Sequence, residues 1–136
     1  MASSDALPGS RRPRPLSPHL SVYRLTMTMA MSFAHRMSGV ALYFGVLVLA
    51  WFLIAASADA STFAIFSDFI GSFIGRVVLF VLTWALFHHL VGGVRHIIWD
   101  AGYALDAPLR DQMAWATLIG GFALTVLVWI IGLAIR

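Results

Sequence analysis

The stretch at residues 88–100, HHLVGGVRHIIWD, decides how the rest of this sequence is interpreted. It ends a long apolar run, in which residues 77–94 are eighteen residues without a formal charge. A run of that length is enough for a helix that crosses a bilayer. The stretch nevertheless carries three histidines and an arginine. Because ionisable groups inside a membrane are costly, they indicate a functional site.

The histidines and glycines of this stretch are spaced so that most of them share one face of a helix. At about 100° per residue, four residues share one face: His89, Gly92, Gly93 and His96. His88 and Arg95 share a stripe about 100° away. A glycine pair between two histidines leaves a shallow surface that a flat cofactor can approach. The alternative is that the glycines only permit close helix packing while the histidines bond to neighbouring carbonyls. We favour a redox cofactor because several ionisable groups cluster here.

The composition is that of a small integral membrane protein. Of 136 residues, 60% are hydrophobic and 11% are charged, and the mean hydropathy is +0.87. There is no cysteine, so this chain alone builds neither a disulfide nor an iron–sulfur cluster. The predicted fold is all-α, with transmembrane helices at about residues 32–58, 69–98 and 112–135. Residues 1–24 are expected to form a basic arm and interfacial segment, and residues 25–136 the membrane anchor.

The arginines predict the orientation of the anchor. Three spans put the N-terminus and the second loop on one side of the membrane. Seven of the nine arginines lie on that side: Arg11, Arg12, Arg14, Arg24, Arg36, Arg95 and Arg110. The opposite side has Arg76 and Arg136. Because positive residues concentrate on the inner side, the N-terminus is expected in the cytoplasm or the equivalent matrix compartment.

A second polar group opens the first span. Its members are spaced by three and four residues and therefore share one helix face: Ser32, His35, Arg36 and Gly39. The first span begins on the side where the second ends. This group is therefore expected to lie level with three residues of the second span, Arg95, His96 and Asp100, in one polar pocket at the membrane boundary. The alternative is interfacial anchoring by arginine, together with an Asp100–arginine pair.

One histidine lies deeper in the second span than the polar pocket. His89 is nine residues before Ile98, or roughly 13 Å in from that end. A neutral imidazole at that depth is suited to ligate haem iron. His96 projects from the same face roughly 10 Å away along the axis, so the two cannot hold a porphyrin between them. The other two spans have no histidine at a matching depth. A six-coordinate haem on His89 therefore needs its second ligand from another chain.

Three runs of sequence together resemble a known family. They are RPLSPHLSVYR at residues 14–24, SFAHRMSGV at residues 32–40 and HLVGGVRHIIWDAGY at residues 89–103. In combination they resemble the large membrane-anchor subunit, or cytochrome b subunit, of succinate dehydrogenase (respiratory complex II). The first run is most similar to the alphaproteobacterial and mitochondrial branch. The absence of a long transit peptide favours a multi-pass protein of the bacterial inner membrane, with a cytoplasmic N-terminus.

The resemblance implies cofactors and partners. It implies a haem b shared with a second membrane-anchor subunit, with one axial histidine from each, and ubiquinone as the substrate. It also implies an iron–sulfur subunit and a flavoprotein subunit. We expect contact with membrane lipid, and we expect no nucleic acid among the partners. The chain would be a non-flavin subunit of succinate:quinone oxidoreductase, with no catalytic residue or activity of its own.

The resemblance also implies roles for individual residues. The axial ligand of the haem iron is the histidine seven residues before His96, which is His89; His88 would replace it after a one-residue shift of the helix. Ser32 and Arg36 correspond to the quinone-binding residues. The cofactor-binding set implied for haem is His35, Arg36, His89, Gly92, Gly93 and His96. Asp100 would support the site by charge pairing.

Two other functions stay open at this point. An anchor of a quinol:fumarate reductase would have a similar fold and similar sites but run the reverse reaction. A cofactor-free membrane scaffold would only dock soluble proteins.

Overall fold

The computed structural model describes residues 23–135, and this part of the chain consists of four α-helices. They are α1 (Met27–Ser57), α2 (Ala60–Gly71), α3 (Phe73–Asp100) and α4 (Ala107–Ala134). Three of them, α1, α3 and α4, are long and apolar enough to cross a membrane. The prediction of an all-α protein with three transmembrane spans is thereby confirmed. Most of the predicted basic arm lies outside the described residues.

Two of the long helices, α1 and α4, begin earlier than the apolar runs alone indicate. α1 begins at Met27, and the hydroxyl of Thr26 caps it by accepting from the backbone N–H of Met29 at 3.4 Å. α4 begins at Ala107 and has a proline in its first turn, where a missing N–H costs nothing. α3 continues to Asp100 and is followed by Gly102, whose φ of 83° lies in the left-handed region. Turns outside the predicted spans therefore extend α1 and α4 at their beginnings and α3 at its end.

The polar connection after α1 forms a helix of its own. Asp59 caps α2, and its carboxylate accepts from the backbone N–H groups of Ser61 at 2.8 Å and Thr62 at 3.0 Å. A further hydrogen bond from the Ser61 hydroxyl contributes most to holding the pKa of Asp59 below its usual range. The second span therefore begins at Phe73 rather than at residue 69, because Ser72 ends α2 and caps α3.

A tight turn joins α2 to α3. The Ser72 hydroxyl accepts from the backbone N–H of Gly75 at 3.1 Å. A Cβ atom at Gly75 would collide with the carbonyl oxygen of Phe69 and the backbone of Ile70. Only glycine therefore allows the first turn of α3 to lie this close to α2. Gly71, by contrast, has no atom within 4 Å of an added Cβ.

Two kinds of packing hold the helices together. α2 folds back on α1 through aromatic rings, with Trp51 and Phe66 at a centroid distance of 5.0 Å. α3 and α4 meet through small residues, and a Cβ at Gly121 would lie 2.9 Å from the Cα of His88. Thr117 and Thr125 are buried in α4 and donate to carbonyls of their own helix at 2.8 and 2.7 Å. Their polar groups are thereby satisfied inside the bundle.

Most of the large apolar side chains point outward. In residues 23–135 the buried hydrophobic residues are few: Met31, Ala55, Phe66, Ala85 and Ala114. The exposed set includes large apolar residues of every helix. Such a surface is costly in water but suits lipid or another membrane subunit.

The α2–α3 turn is tested by a pair of glycine substitutions. We expect Gly75→Ala to destabilise the purified protein by about 1–3 kcal/mol, because an extra methyl group must displace backbone atoms. The measurement is the thermal unfolding temperature in detergent. Gly71→Ala is the matched control and should leave that temperature unchanged or slightly raised. Equal stability of the two variants would contradict the described turn.

Candidate functional site

The structure brings together three of the predicted histidines, one from α1 and two from α3. The rings of His35 and His89 stack, with centroids 4.0 Å apart and planes 9° from parallel. The ring of His96 lies 5.1 Å from that of His35. These three residues, His35, His89 and His96, are the histidine cluster. It lies toward the end of the bundle where α1 begins, α3 ends and α4 begins, and we call this end the histidine end.

Hydrogen bonds fix which nitrogen of His89 carries the proton. The hydroxyl of Ser38 donates to the carbonyl oxygen of His35 at 2.7 Å. Nδ1 of His89 lies 3.2 Å from that same carbonyl oxygen and 3.0 Å from the Ser38 hydroxyl oxygen. A carbonyl only accepts, so Nδ1 must be the donor in this network. In a neutral imidazole the other nitrogen, Nε2, then keeps its lone pair and is free to bind a metal.

The neighbouring His88 has a different environment. It is 0% exposed and stacks on Trp84 at a centroid distance of 5.1 Å. Its Cα and backbone nitrogen lie against Gly121 of α4. Neither ring nitrogen has a hydrogen-bond partner among the described residues. His88 is therefore enclosed within the bundle, whereas His89 is only half-buried, between α1 and α3.

The two glycines of the predicted site have different surroundings. The ring of His35 lies over Gly92, so that a Cβ there would collide with it. Gly93 has no atom within 4 Å of an added Cβ. Gly92 thus permits the approach of α1 to α3, and Gly93 leaves open space beside the helix.

The remaining predicted residues do not contact the histidine cluster through hydrogen bonds or ion pairs. Ser32 is half-buried, whereas Arg36 and Asp100 are exposed. Within residues 23–135 the one ion pair found joins Arg110 to Asp111, at 3.9 Å, so Asp100 has no arginine partner there. The roles of Ser32, Arg36 and Asp100 stay predictions.

Arg95 is buried inside the bundle. It is 2% exposed, and its guanidinium carbon lies 4.9 Å from the centroid of the Trp99 ring. Nε and Nη1 have no hydrogen-bond partner in the described part of the chain. The contact with Trp99 is a cation–π interaction, which offsets part of the cost of burying the charge.

Ser38 is a residue of the site that the sequence interpretation missed. It is buried and links the backbone of His35 to the ring of His89. The sequence does indicate its position, because Ser38 lies three residues after His35 and therefore on the same face of the helix. The partner of its hydroxyl on α3 is not visible in the sequence.

Comparison with known proteins identifies the family. Residues 10–128 match the family described as "Succinate dehydrogenase/Fumarate reductase transmembrane subunit". A "Succinate dehydrogenase cytochrome b556 subunit" of Rickettsia felis is 38% identical over 117 residues, covering 86% of this chain and 91% of the relative. The protein of the same name in Paracoccus denitrificans is 38% identical over 122 residues, covering 90% and 94%.

The similarity extends to a mitochondrial protein. The "Succinate dehydrogenase cytochrome b560 subunit, mitochondrial" of Sus scrofa is 37% identical over 108 residues, covering 78% of this chain and 64% of the relative. The match to the family covers the first two spans and most of the third. This chain therefore belongs to the family of succinate dehydrogenase/fumarate reductase transmembrane subunits.

Proposed function

We propose that this chain holds a haem b together with a second membrane-anchor subunit and forms part of the ubiquinone-reduction site of a succinate:quinone oxidoreductase. The observation that carries the proposal is the imidazole of His89. Its Nδ1 donates to the His35 carbonyl oxygen and lies within hydrogen-bond distance of Ser38, which leaves Nε2 free. The cytochrome names of the relatives support a haem cofactor.

The surroundings of His89 fit a haem ligand. Histidines that bind metals usually donate their other N–H to a carbonyl or carboxylate, which fixes the tautomer and the ring orientation. His35, Gly93 and His96 would complete the cofactor-binding surface of this chain, and Gly92 would support it by making room for the ring of His35. When bound, haem b supplies a one-electron redox centre whose potential depends on ligation, burial and hydrogen bonding.

The geometry favours His89 over His88 as the ligand. A haem shared with another subunit must contact this chain from outside its own three spans. His88 is 0% exposed and lies between α3 and α4, so it has no such access. His89 is half-buried and lies at the junction of α1 and α3.

In this proposal the partner would supply the second ligand of the haem iron. Neither His35 nor His96 would be that ligand, because the ring of His35 stacks on that of His89 and His96 lies on the same helix as His89. The exposed apolar surface of the bundle supports a partner that covers it. The second anchor subunit would thus complete both the haem site and the packing of this chain.

The quinone is bound, in this proposal, by Ser32 and Arg36. They lie four residues apart on one side of α1, near the end at which that helix begins. A hydroxyl and a guanidinium can both donate to a quinone carbonyl oxygen. Such donors stabilise the negative charge that develops on oxygen during reduction. Arg36 is exposed in this chain, so the rest of the pocket would come from neighbouring subunits.

The location and the soluble partners follow from the same proposal. The protein is multi-pass, and the arginine distribution supports a cytoplasmic N-terminus in a bacterial inner membrane. An iron–sulfur subunit would deliver electrons at the histidine end, and a flavoprotein subunit would oxidise succinate. The reverse activity, quinol:fumarate reduction, stays a second candidate because the family description covers both enzymes.

The haem proposal is tested by replacing each of the adjacent histidines. We expect His89→Leu to abolish or shift the low-spin b-type absorption spectrum of the purified complex, because it removes the free Nε2. His88→Leu is the matched control and should keep a low-spin spectrum. A normal spectrum in His89→Leu, with loss in His88→Leu, would assign the ligand to His88. A colourless wild-type complex would favour a cofactor-free scaffold.

The quinone proposal is tested by activity measurements on Arg36→Ala. Hydrogen bonds to charged groups contribute about 1.5–3 kcal/mol, so we expect succinate:quinone reductase activity to fall at least about tenfold. Succinate oxidation with a soluble dye as acceptor should be unchanged, because it does not use the membrane site. An equal loss of both activities would contradict a role for Arg36 in quinone binding.

A further inference from the structure

The buried guanidinium of Arg95 has no part in the proposed haem and quinone sites. Its side chain is 2% exposed, even though no other subunit covers this chain in the structure. Arg95 belongs to the stripe of α3 that faces the interior of the bundle. On that stripe, two turns before Arg95, the backbone of His88 lies against Gly121 of α4, and one turn before Arg95 the ring of His35 lies over Gly92. The stripe therefore brings a positive charge inside the bundle.

No carboxylate neutralises this charge in the described part of the chain. The one ion pair found in residues 23–135 joins Arg110 to Asp111. Asp100, the carboxylate nearest to Arg95 in the sequence, is exposed. The partner of the guanidinium is the ring of Trp99, 4.9 Å from its carbon atom. A cation–π contact attracts a cation but leaves its charge in place, so the interior keeps a net positive charge.

The charge lies beside the histidine cluster. The ring of Trp99, which Arg95 contacts, is 5.4 Å from that of His96, and the ring of His96 is 5.1 Å from that of His35. Arg95 is also close enough to His35 to interact with it electrostatically. Along α3, Arg95 follows His89 by six residues, or about 9 Å. A buried charge acts over such a distance because the protein interior and the salt around it screen it weakly.

The position is an expensive one for an arginine. A buried charge without a counter-ion destabilises a fold, and an apolar side chain of similar size would pack there without that penalty. Ionisable groups that are kept inside a membrane despite their cost usually serve a function. The function to which a fixed positive charge is suited is to stabilise a nearby group that gains an electron.

We propose that the charge of Arg95 raises the reduction potential of the haem held by His89. The inference rests on the proposed haem-binding role of His89. Reduction adds one negative charge to the site, so a positive charge nearby favours the reduced form. Arg95 acts through its electric field and needs no contact with the iron. The potential of a haem depends on such surroundings as well as on its ligands.

Two other roles for Arg95 make different predictions. In the first, its side chain only packs against Trp99, and then the potential does not depend on the charge. In the second, a carboxylate of another subunit pairs with the guanidinium and cancels its field. An exposed fraction of 2% leaves such a carboxylate little access to Arg95. Replacements that keep or remove the charge distinguish these roles from a direct effect on the potential.

The test is a potentiometric titration of the haem in the purified complex, followed by its absorption spectrum. We expect Arg95→Gln to make the midpoint potential more negative. A unit charge at about 9 Å with an effective dielectric constant of about 20 changes the equilibrium at least about tenfold. For a one-electron couple, tenfold corresponds to about 59 mV. Arg95→Lys keeps the charge and should stay close to the wild type.

The matched control is Arg110→Gln, which removes the same charge from an exposed position at the histidine end. Water and salt screen that position, so the midpoint potential should not change. For the same reason, the difference between the wild type and Arg95→Gln should persist when the salt concentration is raised. A difference that disappears in high salt would contradict a buried charge as its cause.

Two further results would overturn the proposal. One is an unchanged potential in Arg95→Gln, and the other is an equal shift in Arg95→Gln and Arg95→Lys, which would indicate altered packing. If Arg95→Gln loses its haem, the lysine variant decides. Retention of haem by Arg95→Lys would support an electrostatic role, and loss in both variants would show a structural one. A wild-type complex without haem would instead contradict the proposed function itself.

Discussion

The hydrogen bond between Nδ1 of His89 and the carbonyl oxygen of His35 is the interaction on which the rest of the site depends. It joins α1 to α3 in the membrane, where a lost hydrogen bond is not replaced by water. Ser38 contributes to the same network and holds the carbonyl in place. In a neutral imidazole, a proton on Nδ1 leaves the lone pair of Nε2 free. One network thus fixes the packing of two helices and the chemistry of one imidazole.

The rest of the bundle is arranged around that contact and leaves its outer surface incomplete. Gly92 makes room for His35, and Gly121 lets α4 approach the backbone of His88. These close approaches bury small residues, while most large apolar side chains point outward. A soluble domain with so little apolar core would not be stable. The fold is therefore suited to a place between lipid and other membrane subunits.

The sequence predicted the spans because long apolar runs have few alternatives to a membrane helix. The sequence did not predict α2. Residues 69–98 read as one continuous apolar helix, and the Asp59 cap and the tight turn at Gly75 are too local to interrupt that pattern. Helical periodicity grouped His89 and His96 on one face, and the structure brings His35 to them. The different surroundings of Gly92 and Gly93, and the part played by Ser38, depend on the register between α1 and α3. The residue pattern of one helix does not predict how that helix aligns with its neighbour.

The central claim is that this chain supplies one half of a haem site and a second anchor the other half. The most direct measurement is electron paramagnetic resonance of the oxidised haem, with this chain produced alone and together with its second anchor. The account predicts the signal of a low-spin haem with two histidine ligands only when both chains are present. The same low-spin signal from this chain alone would show that both ligands come from its own residues, and would contradict the account.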